Sequence, residues 1–143
     1  MREIDLSRFD AVTFDCYGTL IDWERGILNE LRPWADARGI AAGDDALLEA
    51  FGHAEARAEV DRPGDRYPQI LEEVLRRLSA TWRVTTSAEE IAAFGQSVGR
   101  WPAFPDSPAA LAYLKQHYKL VILSNVDHAS FAKSNARLGV TFD

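Results

Sequence analysis

The chain reads as an α/β protein, part of a parallel-sheet core interrupted by a helical insertion. Three observations predict this. Ala11-Val12-Thr13-Phe14 is a short apolar run that ends in Asp15. Leu120-Val121-Ile122-Leu123 is a second such run, ending in Ser124-Asn125. Between them, residues 23–102 carry helical spacing and no strand pattern, a stretch too long for a loop. A carboxylate at one strand's carboxyl end and a hydroxyl–amide pair at another's place a ligand site at the rim of the sheet.

The elements follow in order. Residues 11–16 form a buried strand, being short, apolar and containing Val and Phe. Gly18 supplies a turn that lets backbone approach a ligand. Ile27, Leu28, Leu31 and Trp34 then recur at helical spacing; Pro33 should kink or restart that helix, and Gly39 should end it. Asp44 is placed to cap a second helix with Leu47, Leu48, Phe51 and Ala54 on one face. Asp61-Arg62-Pro63-Gly64-Asp65 is a break. A third helix carries Ile70, Leu71, Val74, Leu75 and Leu78. Ser87 and Glu90 make a capping box for a fourth, ahead of Ile91, Phe94 and Val98.

After Phe104-Pro105 the α/β pattern resumes. Asp106 or Ser107 caps a helix with Pro108 in its first turn, and Leu111, Leu114 and Tyr118 form its inner stripe. Residues 119–123 are the second strand. Asp127 caps the next helix, with Phe131 and Leu138 inward and Gly139 past its end. Val140-Thr141-Phe142 begins a further strand. The expected division is an incomplete α/β core over 1–22 and 103–143, with a helical cap over 23–102.

Composition narrows the function. The 143 residues are 47% hydrophobic, enough for one ordinary core. No apolar run is long enough for a membrane span, and the start lacks the layout of a signal peptide. The net charge of -6 opposes broad binding to nucleic acid or anionic lipid, but one local cation would suffice for a small anionic substrate. The single cysteine, Cys16, rules out an internal disulfide framework and fits a reducing, cytoplasmic compartment.

The strand ends carry the chemistry. A carboxylate is a modest nucleophile, but it is ionised at neutral pH. Asp15 at a strand end can displace a leaving group and form an ester or acyl-phosphate that water then opens. Thr19 can fix that carboxylate or bind substrate through its hydroxyl. Ser124, Asn125 and the free backbone N–H groups around Gly18 can donate to a substrate oxygen. Each feature alone is also common in ordinary turns; their agreement in order and element type carries the argument.

Phe14-Asp15-Cys16-Tyr17-Gly18-Thr19-Leu20-Ile21-Asp22 resembles the first motif of the haloacid dehalogenase superfamily, and Leu123-Ser124-Asn125 resembles the second. The helical insertion between them is similar to that superfamily's cap. The resemblance implies a Rossmann-like core with an Asp15 nucleophile, and a substrate site that includes Cys16, Tyr17, Thr19, Ser124 and Asn125. Phosphatase members have a second Asp two residues after the nucleophile, to protonate the leaving alcohol. Here that position is Tyr17, whose unperturbed pKa of about 10 makes it a poor acid. Members similar to the type II 2-haloacid dehalogenases carry Tyr there, and a departing halide needs no proton. The resemblance therefore implies hydrolytic dehalogenation of a small 2-haloacid, with no metal or other cofactor.

The alternative is a Mg2+-dependent small-molecule phosphatase, with the metal on Asp15 and the Tyr17 backbone. An alternative of another class is a non-catalytic interaction or dimerisation module. Asp22 is expected to cap the first insert helix rather than to bind metal. A haloacid's carboxylate calls for a cation, for which Arg57 and Arg66 are candidates by position alone. Trp23 and Trp34 could line an apolar pocket, whereas His53 and His128 read as surface or core residues rather than bases. The family's third motif, a Lys, and its acidic fourth are not found; the only Lys after the second motif is Lys133, inside a predicted helix. These residues alone are therefore expected to be weak or inactive catalysts that call for a completing chain or a homo-oligomer.

Overall fold

A computed structural model describes residues 8–143 of the chain. Strand β1 (Ala11–Phe14) pairs in parallel with β2 (Lys119–Ile122), Ala11 facing Lys119 and Phe14 facing Ile122. Hydrogen bonds from Lys119 N–H to the Asp10 carbonyl (2.9 Å) and from Leu123 N–H to the Phe14 carbonyl (2.8 Å) extend the ladder at both ends. A parallel pair needs a long crossover. This register brings the carboxyl ends of both strands out together, so Asp15 and Ser124 emerge on one rim.

The crossover is helical. Helices α1 (Trp23–Asp36), α2 (Asp44–Asp61), α3 (Tyr67–Thr81) and α4 (Ala88–Gly95) precede a 3₁₀ turn (Ser97–Arg100); α5 (Ser107–Leu114) then leads into β2, and α6 (His128–Leu138) follows it. The insertion leaves and rejoins the sheet end at adjacent points. Asp22 N–H donates to the Pro102 carbonyl at 2.9 Å, and Phe104 N–H to the Leu20 carbonyl at 3.0 Å. Ile21 also bridges Ala103 antiparallel.

Local chemistry explains most boundaries. Asp22 caps α1 by accepting from Arg25 N–H at 3.1 Å. Ser87 and Glu90 form the capping box of α4. Asp127 accepts from Ala129 and Ser130 N–H to start α6, which ends at Gly139 in the left-handed region (φ 70°). Other expectations are corrected. Residue Gly43, not Asp44, caps α2; Asp44 is the first helical residue and pairs instead with Arg32. Pro33 does not restart α1, which runs continuously through it from Trp23 and ends at Asp36, ahead of Gly39. Asp106 precedes α5 without a side-chain cap bond. Residues 140–142 form no strand; Asp143 alone pairs with β2, its N–H donating to the Leu120 carbonyl (2.8 Å) and its Oδ2 accepting from the Leu120 N–H (2.9 Å).

One apolar cluster joins insertion and sheet. Cys16, Leu20 and Ile21 from the first turn pack with Ile27, Leu31, Phe51, Leu71 and Val74 of the helices, and with Leu120 and Leu138. Trp101, 1% exposed, stands at the junction with Tyr17 and Tyr67 edge-on to it, at ring-centre distances of 5.7 and 6.2 Å. β1 is less buried than its apolar run predicts: Val12 and Phe14 are half-buried and Ala11 and Thr13 exposed. Among the described residues a two-stranded sheet covers each strand on one edge only, and Leu123 past β2 remains 75% exposed.

Candidate active site

The first turn is built around Cys16. Its carbonyl accepts from Leu20 and Ile21 N–H at 2.8 and 2.9 Å, while Gly18 N–H donates to the Ile21 carbonyl at 2.8 Å. Gly18 has φ 92°, which a side chain rarely adopts, and a Cβ there would lie 3.2 Å from the Trp23 indole nitrogen. The tight loop fixes Asp15 at the sheet rim, exposed. Thr19 Oγ1 donates to Asp15 Oδ2 at 3.1 Å, leaving Oδ1 free of that contact.

Asp15, Tyr17, Ser124 and Asn125 line one cleft of about 240 Å³. Its opposite wall comes from the insertion: Glu55 and Glu59 of α2 and Tyr67 of α3. The Tyr67 hydroxyl donates to Glu55 Oε1. Burial pushes the Glu55 carboxyl up from its ordinary value, Tyr67's hydrogen bond opposing and Glu59's charge adding to it. Burial, then the Glu55 charge, holds the Tyr67 phenol well above its usual range. Tyr17 shares a hydrogen bond of 3.0 Å with Ser134 Oγ, and burial pushes its phenol up to about 12. It therefore keeps its proton across the working pH range.

A second hollow of about 200 Å³ adjoins the cleft and shares Tyr17, Glu55 and Tyr67 with it; Trp23 and Trp101 complete its walls. Trp34 lies elsewhere, its indole N–H donating to Thr86 Oγ1 at 3.0 Å and its ring under Arg38. The Cys16 side chain is fully buried and lines neither hollow, so a ligand reaches this residue only through its backbone; burial beside Asp15 pushes its thiol up to about 12.

The expected cations are not brought here. Arg57 and His53 line a separate groove between α2 and α3. Arg66 sits at the start of α3, where its N–H donates to Gln69 Oε1, and it lines neither hollow. Lys133 is exposed and donates to Gln96 Oε1 at 3.0 Å, and His128 is the exposed first residue of α6. Arg62 borders the mouth near Glu59 and Asn125 but pairs with Asp65 (3.1 Å) and Glu73 (3.5 Å). Sequence reasoning missed Glu55 and Tyr67. The signal was present: Glu55 falls four residues after Phe51 and three before Ala58, on the flank of the buried stripe of α2.

A magnesium site needs several oxygen ligands around the nucleophile. Among the described residues no three His, Cys, Asp or Glu side chains come close enough together to hold a metal. Asp15 and the Tyr17 backbone, the positions that the phosphatase alternative names, stand at the rim, and no further carboxylates come close enough to complete a set with them among the described residues.

A carboxylate bared at the end of one parallel strand, with a hydroxyl and an amide at the end of its neighbour, stands where open α/β sheets bind their ligands. Residues 9–143 match the haloacid dehalogenase-like hydrolase family, and the chain belongs to it. The fold is similar to the defluorinating L-2-haloacid dehalogenase Rha0230, with TM-score 0.78 and 19% identity over 94% of this chain and 58% of that one. It is similar to the L-2-haloacid dehalogenase of Xanthobacter autotrophicus with chloropropionic acid covalently bound (TM-score 0.73, 23% identity, 94% and 55% of the two chains). The HAD-hydrolase YfnB of Bacillus subtilis, bound to magnesium, also matches (TM-score 0.67, 15% identity, 92% and 60%). The chain thus spans less than two thirds of each of these structures. No curated protein matches it in sequence. Among the described residues no helix is long and apolar enough to cross a membrane.

Proposed function

We propose that the chain carries the nucleophile half of a hydrolase that cleaves the carbon–halogen bond of a small organic halide, 2-haloacids being the class named for its structural neighbours. Asp15 Oδ1 attacks the carbon bearing halogen; the new C–O bond forms as the C–halogen bond breaks, and halide leaves with the bonding pair. Water then adds to the Asp15 ester carbonyl, the ester C–O bond breaks, and the product hydroxyl and a restored carboxylate result, with one proton released. Thr19 holds the second carboxylate oxygen, and Ser124 and Asn125 orient substrate across the cleft. The helical insertion 23–102 acts as a cap that shields the ester from bulk water.

The observation that carries this reading is Tyr17. Its hydroxyl is engaged with Ser134 and retains its proton to about pH 12, so it is not a usable acid for an alcohol leaving group. Halide needs none. The test is incubation of the chain with 2-chloropropionate, following chloride release and the mass of the Asp15 peptide. A covalent adduct on Asp15 with stoichiometric chloride, both lost in Asp15→Asn, is expected even if the second step is slow. Magnesium-dependent phosphate release from a phosphate ester, without adduct or chloride, overturns it in favour of a phosphatase.

A further inference from the structure

Water that opens an ester on Asp15 must give up a proton, and a side chain placed to take it speeds the step. Among the described residues, the titratable side chains lining the cleft are Asp15, Tyr17, Glu55, Glu59 and Tyr67. Asp15 is the group being freed. Tyr17 is engaged with Ser134 and holds its proton up to about 12. Glu59 is exposed and also borders the mouth beside Arg62. Glu55 is half-buried and also reaches the adjoining hollow with Trp23 and Trp101.

Three features fit Glu55 to the task. It stands on α2 in the wall opposite Asp15, across a cleft of about 240 Å³. That leaves room beside a small acid for a water, whose share of liquid volume is about 30 Å³. The Tyr67 hydroxyl, from α3, donates to Glu55 Oε1, which orients the carboxylate and leaves Oε2 outside that contact. Burial raises the Glu55 pKa, and a carboxylate raised in this way is a stronger base than a solvated one. Ester formation also cancels the Asp15 charge, which favours an ionised carboxylate on the facing wall.

We propose that Glu55 is the general base of the second step, with Tyr67 as the residue that positions it; this rests on the reading of Asp15 as nucleophile. Glu55 Oε2 takes a proton from water as the water oxygen bonds to Asp15 Cγ. The ester bond from Cγ to the substrate oxygen then breaks, and Glu55 returns the proton to the departing alkoxide. The product hydroxyl is complete. Asp15, left as the acid, ionises and releases one proton to solvent. The groups around Glu55 that set its ionisation are Glu59 on its own helix, Tyr67 on α3, and Asp15 and Tyr17 in the first turn.

The experiment loads the chain with 2-chloropropionate, removes the excess, and follows decay of the Asp15-peptide adduct by mass at several pH values. Wild-type adduct should decay faster as pH rises and level off above a single ionisation. In Glu55→Gln the decay should be about 100-fold slower, the scale of one general base, and should lose that ionisation, so that adduct accumulates. Tyr67→Phe should move the ionisation to higher pH, because the lost hydrogen bond lowers the Glu55 pKa. A merely structural Tyr67 would leave the profile in place. Equal decay in Glu55→Gln and wild type, or a wild-type adduct that persists at every pH, overturns the base and leaves Asp15 as the nucleophile. A chain that forms no adduct overturns the hydrolase reading, and the base falls with it.

Discussion

Thr19 Oγ1 donates to Asp15 Oδ2 at 3.1 Å, tying the two ends of the first turn together at the sheet rim. One carboxylate oxygen is occupied and the other is left to react. Thr19→Val removes the bond at nearly constant volume, and because Thr19 is exposed the fold should be unaffected. The rate of Asp15 adduct formation should fall by about 10- to 100-fold, the scale of losing orientation of one reacting group. Thr19→Ser should restore most of it. An unchanged rate in Thr19→Val would show that the hydroxyl does not position the nucleophile.

Tyr17→Phe separates packing from acid catalysis. The ring stays edge-on to Trp101 and only the bond to Ser134 is lost. Adduct formation should persist within about threefold, with no change in its pH profile between 6 and 9, because a phenol lifted to about 12 does not titrate there. A new pH dependence in the variant would assign the hydroxyl a role in proton transfer.

Glu55 should set a pH dependence of stability. Burial raises its pKa in the folded chain, with Glu59 adding and Tyr67 opposing. The folded state therefore favours the protonated form: its contribution is fully present below the unfolded carboxylate pKa and is lost as pH rises through the folded value. Glu55→Gln keeps an acceptor for Tyr67 and removes the ionisation. It should raise the melting temperature at pH 7 by a few degrees, the gain vanishing toward pH 3, in thermal unfolding followed by circular dichroism. A variant less stable at both pH values would contradict this sign.

Gly26 has no room for a side chain. A Cβ there would lie 2.3 Å from Trp101 Cγ, in a helix whose inner face also buries Ile27 and Leu31. Despite the better helix propensity of alanine, Gly26→Ala should lower stability by about 1–3 kcal/mol, the usual cost of overpacking. Urea unfolding measures it, and a neutral or stabilised variant would mean that Trp101 moves aside freely.

Elements fixed by local chemistry were legible in the chain. Asp22, Ser87 with Glu90, and Asp127 cap the helices they should, since capping needs only a side chain and the next turn's N–H groups. The convergence of Asp15, Tyr17, Ser124 and Asn125 was legible too, because parallel strands must place their carboxyl ends together. The far wall was not. Glu55 and Tyr67 reach the cleft through the packing of α2 on α3 and the rotation of each helix, which periodicity fixes only coarsely. That rotation also sends Arg57 to a separate groove. Asp44 misled for a different reason: Asp suits both the cap and the first turn, and here Arg32 draws it to the latter.

The paired stalks of the insertion have an evolutionary consequence. With Asp22 bonded to Pro102 and Leu20 to Phe104, the helical segment hangs from the sheet like a plug from two neighbouring prongs. Because the same stretch shares an apolar cluster with Cys16, Leu20 and Ile21, any change of its helices must refill that cluster for the nucleophile to keep its post.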